Sequence, residues 1–353
     1  MSINTLQEYT RIAKYAKYLP DENRRETWKE QIGRVFDMHR EVFCDFPEVL
    51  PYIDEAESAV LRKEILGSQR ILQFGGTPII KHNARVYNCA FGHISRVKAF
   101  SELMYLLLCG CGVGFSVQRH HVAQLPPIAR PSRRRKKTFV IPDSIEGWAD
   151  AIGVLMSSYF GSDKRFDEYI GTTVEFDYSQ IRPEGSELSS GAKAPGPAGL
   201  KRSINKIREV FEDRLGPADR ETARPIDVYD IIMHSADAVI SGGVRRSATI
   251  ALFSADDEEM AKAKTGNWFM ENPQRGRSNN SALLLRNETS KEDFANLINW
   301  VKEFGEPGFV WADNKEMGFN PCVEIGLYPI DETTGEAGWQ FCNLAEINGK
   351  KAS

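Results

Sequence analysis

A short segment near the carboxyl end of the chain carries three side chains that could act together on one substrate. Asn320, Cys322 and Glu324 alternate with Pro321 and Val323, so an extended backbone would point all three to one face. A thiol that loses a hydrogen atom becomes a thiyl radical, which can abstract hydrogen from a sugar carbon. The carboxylate could take a hydroxyl proton and the amide could hold that hydroxyl. Such convergence is typical of an active site, and a turn with a buried thiol is the alternative interpretation.

The composition describes an ordinary globular protein. The chain has 353 residues, of which 41% are hydrophobic and 27% charged, enough for two average domains or one large α/β barrel. A formal net charge of -4 gives no electrostatic reason to expect nucleic-acid binding. No apolar run approaches the length of a membrane span, and the first 18 residues lack a signal-peptide core. We therefore expect a cytoplasmic protein, of a bacterium or of a phage-infected host, without membrane contact.

The cysteines are dispersed, which argues against a disulfide framework and for redox or catalytic use of some of them. They are Cys44, Cys89, Cys109, Cys111, Cys322 and Cys342. Neither the cysteines nor the six histidines have the spacing of a metal site. The adjacent His120 and His121 are interpreted as surface residues, and no metal ligand is predicted.

The order of predicted elements indicates a parallel α/β architecture. Residues 1–70 are mostly helix-forming, whereas 71–353 repeat strand, loop and helix. The predicted helices are 145–159, 200–215, 226–240 and 291–304, and the predicted strands are 115–118, 173–178, 249–253, 282–285 and 308–310. Ligands of such folds bind at the carboxyl ends of the strands.

Three polar stretches lie between these elements. The basic run Arg130–Lys137 is interpreted as a solvated loop. The Gly- and Ser-rich stretch 185–199 is either a linker or a functional loop. Arg245 and Arg246 follow a glycine pair, an arrangement that suits a phosphate or a base edge.

Eight segments, in this order, resemble one family. They are NCAF at 88–91, GCGVGFSVQ at 110–118, DYSQIRPEG at 177–185, SGGVRRSA at 241–248, SNNS at 278–281, GEPGFV at 305–310, NPCVEI at 320–325 and FCNLAE at 341–346. Together they resemble the catalytic subunit of ribonucleotide reductase, most closely the adenosylcobalamin-dependent (class II) enzymes and related phage-type reductases. The resemblance implies a ten-stranded α/β barrel, with residues 71–353 forming its first half and the central finger loop.

The resemblance also implies catalytic roles. Cys322 would be the thiyl radical that abstracts hydrogen from C3′ of the ribose. Glu324 would remove the 3′-hydroxyl proton, and Asn320 would hold the sugar hydroxyls. Cys89 and Cys342 would reduce C2′ and become a disulfide, since a two-electron reduction can be supplied by a dithiol.

Further residues match binding segments of the family. Thr77 and Asn88 lie near its substrate contacts, and the second specificity loop, which contacts the substrate base, supplies Gly243, Arg245, Arg246 and Ser247. The first specificity loop responds to a deoxynucleotide effector, an allosteric coupling between two sites. Its residues here are Ser186, Ser189, Ser190, Gly191 and Lys193.

Cofactor and partners follow from the same resemblance. The expected radical source is adenosylcobalamin, with a diiron or dimanganese partner subunit as the alternative. The substrate would be a ribonucleoside di- or triphosphate, the reductant thioredoxin-like, and a homodimer would use helices between residues 145 and 215. No ATP-cone and no second half of the barrel are found in the sequence, so we expect the N-terminal piece of a split enzyme that works with a complementing C-terminal chain. A non-catalytic nucleotide-binding or regulatory fragment is the alternative function.

Overall fold

The computed structural model describes residues 3–161, 164–187, 193–240 and 248–351. Contacts between residues divide the chain into two compact units. The first comprises Met1–Asn88 together with Cys342–Ser353, and the second comprises Cys89–Phe341. This division sorts residues by contact, and the domain boundary expected after residue 70 stays a prediction.

The first unit is mostly helical. The helix Trp28–Val42 begins in a capping box, in which Thr27 and Glu30 each satisfy a backbone N–H group of the other. Its buried face, with Ile32 and Val35, packs against Ile53 and Val60 of the next long helix. The elements are α1 (Ile3–Lys14), β1 (Tyr18–Leu19), β2 (Arg24–Arg25), α2 (Trp28–Val42), α3 (Leu50–Leu61), β3 (Ile65–Leu66), α4 (Gln69–Phe74), α5 (Thr77–Lys81) and, at the other end of the chain, β16 (Glu346–Ile347), which pairs with β3.

The second unit alternates strands and helices. Its strands are β4 (Cys89–His93), β5 (Gly112–Ser116), β6 (Ile128–Ala129), β7 (Ser132–Val140), β8 (Thr172–Asp177), β9 (Arg220–Glu221), β10 (Thr249–Ser254), β11 (Ser278–Leu285), β12 (Gly308–Ala312), β13 (Gly318–Phe319), β14 (Gly326–Leu327) and β15 (Trp339–Cys342). Its helices are α6 (Lys98–Leu108), α7 (Arg119–Val122), α8 (Ile145–Phe160), α9 (Ala198–Leu215), α10 (Pro225–Ile240), α11 (Glu258–Ala261), α12 (Trp268–Glu271) and α13 (Lys291–Phe304). Short 3₁₀ turns connect several of these elements.

A six-stranded sheet in the order β12-β11-β10-β5-β4-β15 forms the centre of the second unit. The pairs β4–β5, β5–β10, β10–β11 and β11–β12 are all parallel. The parallel α/β prediction is therefore confirmed. The described sheet has six strands, and the ten-stranded barrel implied by the resemblance is not confirmed.

A hairpin, β13 and β14, lies across one face of this sheet. Its apolar residues Phe319 and Leu327 pack with Phe91 of β4 and Ile250 of β10. The approach is close because each side contributes a glycine: a Cβ built on Gly318 of the hairpin would lie 1.8 Å from the Phe91 ring, and one on Gly114 of β5 would lie 2.0 Å from the Phe319 carbonyl oxygen. The hairpin is the element that carries the Asn-Pro-Cys-Val-Glu segment.

Local sequence signals located the longer helices of the second unit that were predicted. The predicted helix 145–159 is α8, and the Ser144 side chain caps it by accepting a hydrogen bond from the Gly147 N–H group at 3.0 Å. The predicted helix 291–304 is α13, with a second capping box at Ser290 and Asp293. In the described part of the chain, no helix combines the length and the apolar character needed to cross a membrane.

The interpretation of the basic run Arg130–Lys137 as a solvated loop is wrong. Most of the run belongs to strand β7. The strand pairs in parallel with β8. Lys136 forms an ion pair with Glu175 of β8 at 3.4 Å, and Lys137 forms one with Glu168 at 2.9 Å. These acidic residues, which are remote in sequence, offset the positive charge of the strand. The density of basic residues in the run gave no sign of such partners.

Candidate active site

The Asn-Pro-Cys-Val-Glu segment forms the turn of the β13–β14 hairpin. The Val323 N–H group donates to the Asn320 carbonyl oxygen at 2.9 Å, and Val323 has a positive φ of 65°. The Ile325 N–H group donates to the Asn320 side-chain oxygen at 3.1 Å. The segment is therefore a turn and not extended, because these hydrogen bonds reverse the chain within six residues.

The turn nevertheless brings the predicted polar groups together. The Asn320 side-chain nitrogen donates to a Glu324 carboxylate oxygen at 2.7 Å and lies 3.7 Å from the Cys89 sulfur. Asn320 is fully buried and Cys89 is 5% exposed. One amide thus joins a carboxylate on the hairpin to a thiol at the start of β4.

Cys322 occupies the tip of the turn and is exposed, as is Glu324. A thiol at an exposed tip can be reached by a reactant from outside the hairpin, whereas Cys89, at the start of β4 beneath the turn, is covered. The arrangement offers one accessible sulfur, one carboxylate and one buried sulfur, with the amide of Asn320 between the last two.

Three of the other predicted residues belong to the first unit. The Asn88 N–H group donates to the Cys342 carbonyl oxygen at 3.1 Å, and the Asn88 side-chain oxygen accepts from the Ser68 hydroxyl at 2.7 Å. Cys342 is buried. Thr77 is exposed at the first position of α5, directly after Gly76, whose φ of 92° suits glycine. Because Cys89 opens the second unit, its pairing with Cys342 stays a prediction.

The described ends of the stretch predicted to be the first specificity loop contact each other. The Ala194 N–H group donates to the Ser186 carbonyl oxygen at 2.7 Å, and Lys193 pairs with Glu187 at 3.2 Å, both side chains being exposed. The remaining predicted loop residues lie outside the described residues. They are Ser189, Ser190, Gly191, Gly243, Arg245, Arg246 and Ser247.

A cluster of histidines was missed, and the interpretation of His121 as a surface residue is wrong. His121 is 1% exposed, and its Nε2 lies 2.7 Å from a Glu316 carboxylate oxygen. His120 contacts the other oxygen of that carboxylate at 3.1 Å, and the buried His93 stacks on His121 with ring centroids 3.8 Å apart. His93 ends β4 and His121 follows the end of β5, so adjacent parallel strands bring them together. The position of a histidine at or just after the end of each strand is the sequence signal that could have predicted the cluster.

Burial determines the charge of this cluster. Desolvation, with a smaller contribution from the neighbouring imidazoles, lowers the pKa of His93 to about 4 and that of His121 to about 3. Burial also lowers the pKa of His120. At neutral pH His93 and His121 are therefore neutral, which leaves one lone pair on each ring.

Comparison with known proteins finds similarity to one class of enzyme. No family model matches the sequence. The adenosylcobalamin-dependent ribonucleoside-triphosphate reductase of Euglena gracilis is 27% identical over 372 residues, covering 93% of this chain and 48% of that enzyme. The enzyme of the same name from Lactobacillus leichmannii is 27% identical over 412 residues, covering 94% and 53%. The chain thus spans about half the length of the curated relatives it matches.

The solved structures give a matching fold. A B12-dependent (class II) ribonucleotide reductase superimposes with a TM-score of 0.77 at 23% identity, covering 91% of this chain and 53% of that one. The fold is that of a class II reductase over nearly all of the chain. Together with the named homologues, this confirms the resemblance that the eight sequence segments indicated.

Proposed function

We propose that this chain supplies the radical-bearing and reducing residues of a ribonucleotide reductase, which replaces the 2′-hydroxyl group of a ribonucleotide by hydrogen. The observation that carries the proposal is the buried Asn320 amide, which contacts both Glu324 and Cys89 two residues from the exposed Cys322. These four side chains come from two distant segments, and the reaction needs all four types of group.

The chemistry assigns a task to each side chain. A radical on the Cys322 sulfur abstracts the hydrogen atom from C3′, and Glu324 takes the 3′-hydroxyl proton. The 2′-hydroxyl group then leaves as water with a proton from the dithiol. Two electrons from Cys89 and Cys342 reduce the sugar as their disulfide forms, and Cys322 returns the hydrogen atom to C3′. One dithiol and one ribonucleotide thus give one disulfide, one water and one deoxyribonucleotide.

Two hydrogen-bonded contacts support this assignment. Asn320 is held on both sides, by Glu324 and by the turn backbone at Ile325, so its amide is preorganised to hold a sugar hydroxyl. Asn88, the residue before Cys89, donates its N–H group to the Cys342 carbonyl oxygen. The pairing of Cys342 with Cys89 itself rests on the family resemblance.

Adenosylcobalamin would act at the hairpin tip, where Cys322 is exposed and the adjacent apolar Val323 is 40% exposed. These two residues are the ones that would meet it. When bound, the cofactor supplies the radical chemistry that starts the reaction. A metal-radical partner subunit would have to reach the same sulfur.

The substrate and partners follow from the relatives. Those named above are triphosphate reductases, which favours a ribonucleoside triphosphate here. A deoxynucleotide effector would act through the loop between Ser186 and Lys193, a thioredoxin-like protein would reduce the Cys89–Cys342 disulfide, and two copies of the chain would associate through α8 and α9. The other half of the relatives' length would have to be supplied, by the same polypeptide or by another.

Ribonucleotide reduction by this chain tests the proposal. The assay contains adenosylcobalamin, dithiothreitol and an effector deoxynucleotide, with and without the remaining half of such a reductase. We expect product when that half is present and only background turnover in Cys322→Ser. Cys44→Ser is the matched control, because Cys44 is also exposed and should be dispensable.

The alternative function is nucleotide binding without turnover. Equilibrium binding of substrate and effector, measured on the same samples, separates the two functions. Binding without product under every condition, including a supplied metal-radical subunit, would favour a regulatory fragment and contradict the proposal.

A further inference from the structure

The end of the sheet opposite to Cys89 holds an arrangement that the proposed reaction does not use. His93 and His121 lie at the carboxyl ends of β4 and β5, and Glu316 precedes the hairpin. One nitrogen of each ring and one carboxylate oxygen lie within 4.8 Å of one another. Shifts of under about 1 Å would bring these three atoms to the bond lengths of roughly 2.0–2.2 Å that zinc makes with nitrogen and oxygen.

The protonation of His93 is fixed by its partner. Its Nε2 lies 2.9 Å from the backbone carbonyl oxygen of Glu316, and a carbonyl oxygen can only accept, so Nε2 carries the proton. The Nδ1 lone pair of the neutral ring then faces a Glu316 carboxylate oxygen at 3.8 Å. Two electron-rich atoms thus face each other in a buried place, an arrangement that a cation between them would stabilise.

The ring of His121 is also held through one nitrogen while the other faces Glu316. The Nδ1 of His121 lies 2.8 Å from the hydroxyl of the fully buried Ser116, while its Nε2 points at the Glu316 carboxylate. Histidines that bind metals are typically held through the remote ring nitrogen by a carbonyl, a carboxylate or another polar group. Both rings of this cluster have such a partner, and a metal ion would replace the proton that now joins His121 to Glu316.

We propose that His93, His121 and Glu316 bind one divalent transition-metal ion at the base of the hairpin. Two imidazoles and one carboxylate suit Zn²⁺, Fe²⁺ or Co²⁺. They do not suit Mg²⁺ or Ca²⁺, which prefer oxygen ligands only. The second Glu316 oxygen is held by His120 at 3.1 Å, so the carboxylate binds through one oxygen and water completes the coordination.

The ion can reach this site from solvent. His120 is partly exposed and lines a cleft of about 780 Å³ together with Gln118 and Lys315. The positive charge of Lys315 opposes a second cation nearby, which predicts a weaker site than one built from several thiolates.

Such an ion would fix the hairpin to the sheet. Both imidazoles belong to the sheet and its connections, whereas Glu316 belongs to the segment that leads into the hairpin. A bound ion therefore joins the two at the opposite end from Cys322. Metal binding itself does not depend on the proposed reaction and is measured without turnover.

Cobalt binding to the full chain, freed of metal by a chelator, tests the site. We expect one Co²⁺ per chain, with visible absorption bands and without the near-ultraviolet bands of thiolate ligation. Glu316→Gln and His121→Gln should lower the affinity by more than about 100-fold, since changing only an outer partner of a ligand already costs roughly 10- to 100-fold. Ser116→Ala, which removes such an outer partner, should lower it by about 10-fold.

Two control variants accompany these. His39→Gln removes a histidine of the first unit, and Cys322→Ser removes an exposed thiol; both should bind one Co²⁺ with unchanged affinity. Zn²⁺ should also raise the unfolding temperature of the unmodified chain and not that of Glu316→Gln, so the result stands even where His121→Gln fails to fold. No binding at millimolar Co²⁺, thiolate bands, or equal affinity in Glu316→Gln would overturn the proposal.

Discussion

At the start of β4 the hairpin presents an amide to a thiol, and at the end of the same strand the segment that leads into the hairpin presents a carboxylate to imidazoles. The first group, Cys89 with Asn320, leads outward to the exposed Cys322 and Glu324. The second, His93 with Glu316, is mostly enclosed. The difference indicates a division of work, in which one end is open for chemistry and the other holds the hairpin in place.

The two ends are connected by close packing. Between them Gly318 lies against the Phe91 ring, at a distance that leaves no space for a methyl group. The hairpin and the segment before it contact β4 at three points. We expect a substitution at each point to change either catalysis or stability, depending on the role of that point. Three substitutions test this, in order of expected effect.

Removing the charge of Glu324 should have the largest effect, and only on catalysis. We expect Glu324→Gln to lower ribonucleotide reduction by about 10²- to 10⁴-fold, the usual contribution of a positioned general base. The unfolding free energy should be unchanged, because the side chain is exposed. Initial rates and urea unfolding measure the two quantities. Glu332→Gln, an exposed carboxylate in the following loop, is the control, and equal losses in both variants would remove the special role of Glu324.

A methyl group between the two ends should act mainly on stability. A Cβ on Gly318 would lie 1.8 Å from the Phe91 ring, so we expect Gly318→Ala to lower the unfolding free energy by about 3 kcal/mol, the upper range for overpacking. Urea unfolding measures this.

The matched control lies on the other strand of the hairpin. A Cβ on Gly326 would meet the flexible end of Met317 at 3.3 Å and the Phe319 ring at an ordinary 3.9 Å, so Gly326→Ala should be nearly neutral. If both variants unfold at the same urea concentration, the close packing of β13 on β4 is not what holds the hairpin.

The smallest effect is expected at the enclosed end. The Ser116 hydroxyl accepts from the Gln118 N–H group at 3.2 Å and contacts His121. Ser116→Ala leaves these buried groups with fewer partners, which should cost about 1–2 kcal/mol in metal-free protein. Ser101→Ala is the control, because that hydroxyl only adds a bond to a helix carbonyl. The rate at which a thiol reagent alkylates the exposed Cys322 should be unchanged in Ser116→Ala. A lower rate would show that the His93 end and the Cys322 end of the hairpin do not act separately.

Elements that are determined by residues adjacent in the chain could be predicted from the sequence. Elements whose stabilising partners are remote in sequence could not. Helix α8 could be predicted because Ser144 and the following apolar run lie together. Strand β7 could not, because its acidic partners Glu168 and Glu175 lie more than 30 residues away.

The same reason separates the predicted and missed parts of the site. Asn320, Cys322 and Glu324 were found as one short segment, although the sequence left open whether that segment is extended or a turn. The role of Cys89 beside them was implied only by a family resemblance, since Cys89 lies 231 positions from Asn320 in the sequence. His93, His121 and Glu316 belong to no such motif, so only the parallel pairing of β4 and β5 brings them together.

The three contacts along β4 also constrain how such sequences can change in length. Glu316 contacts His93, Gly318 faces Phe91, and Asn320 contacts Cys89. Equal numbers of residues separate the partners on both segments, so one insertion or deletion in either segment would leave a contact without its partner. Among related chains that retain both pairs, the two intervals should therefore vary together or not at all, which makes their equality a criterion for finding this hairpin by sequence.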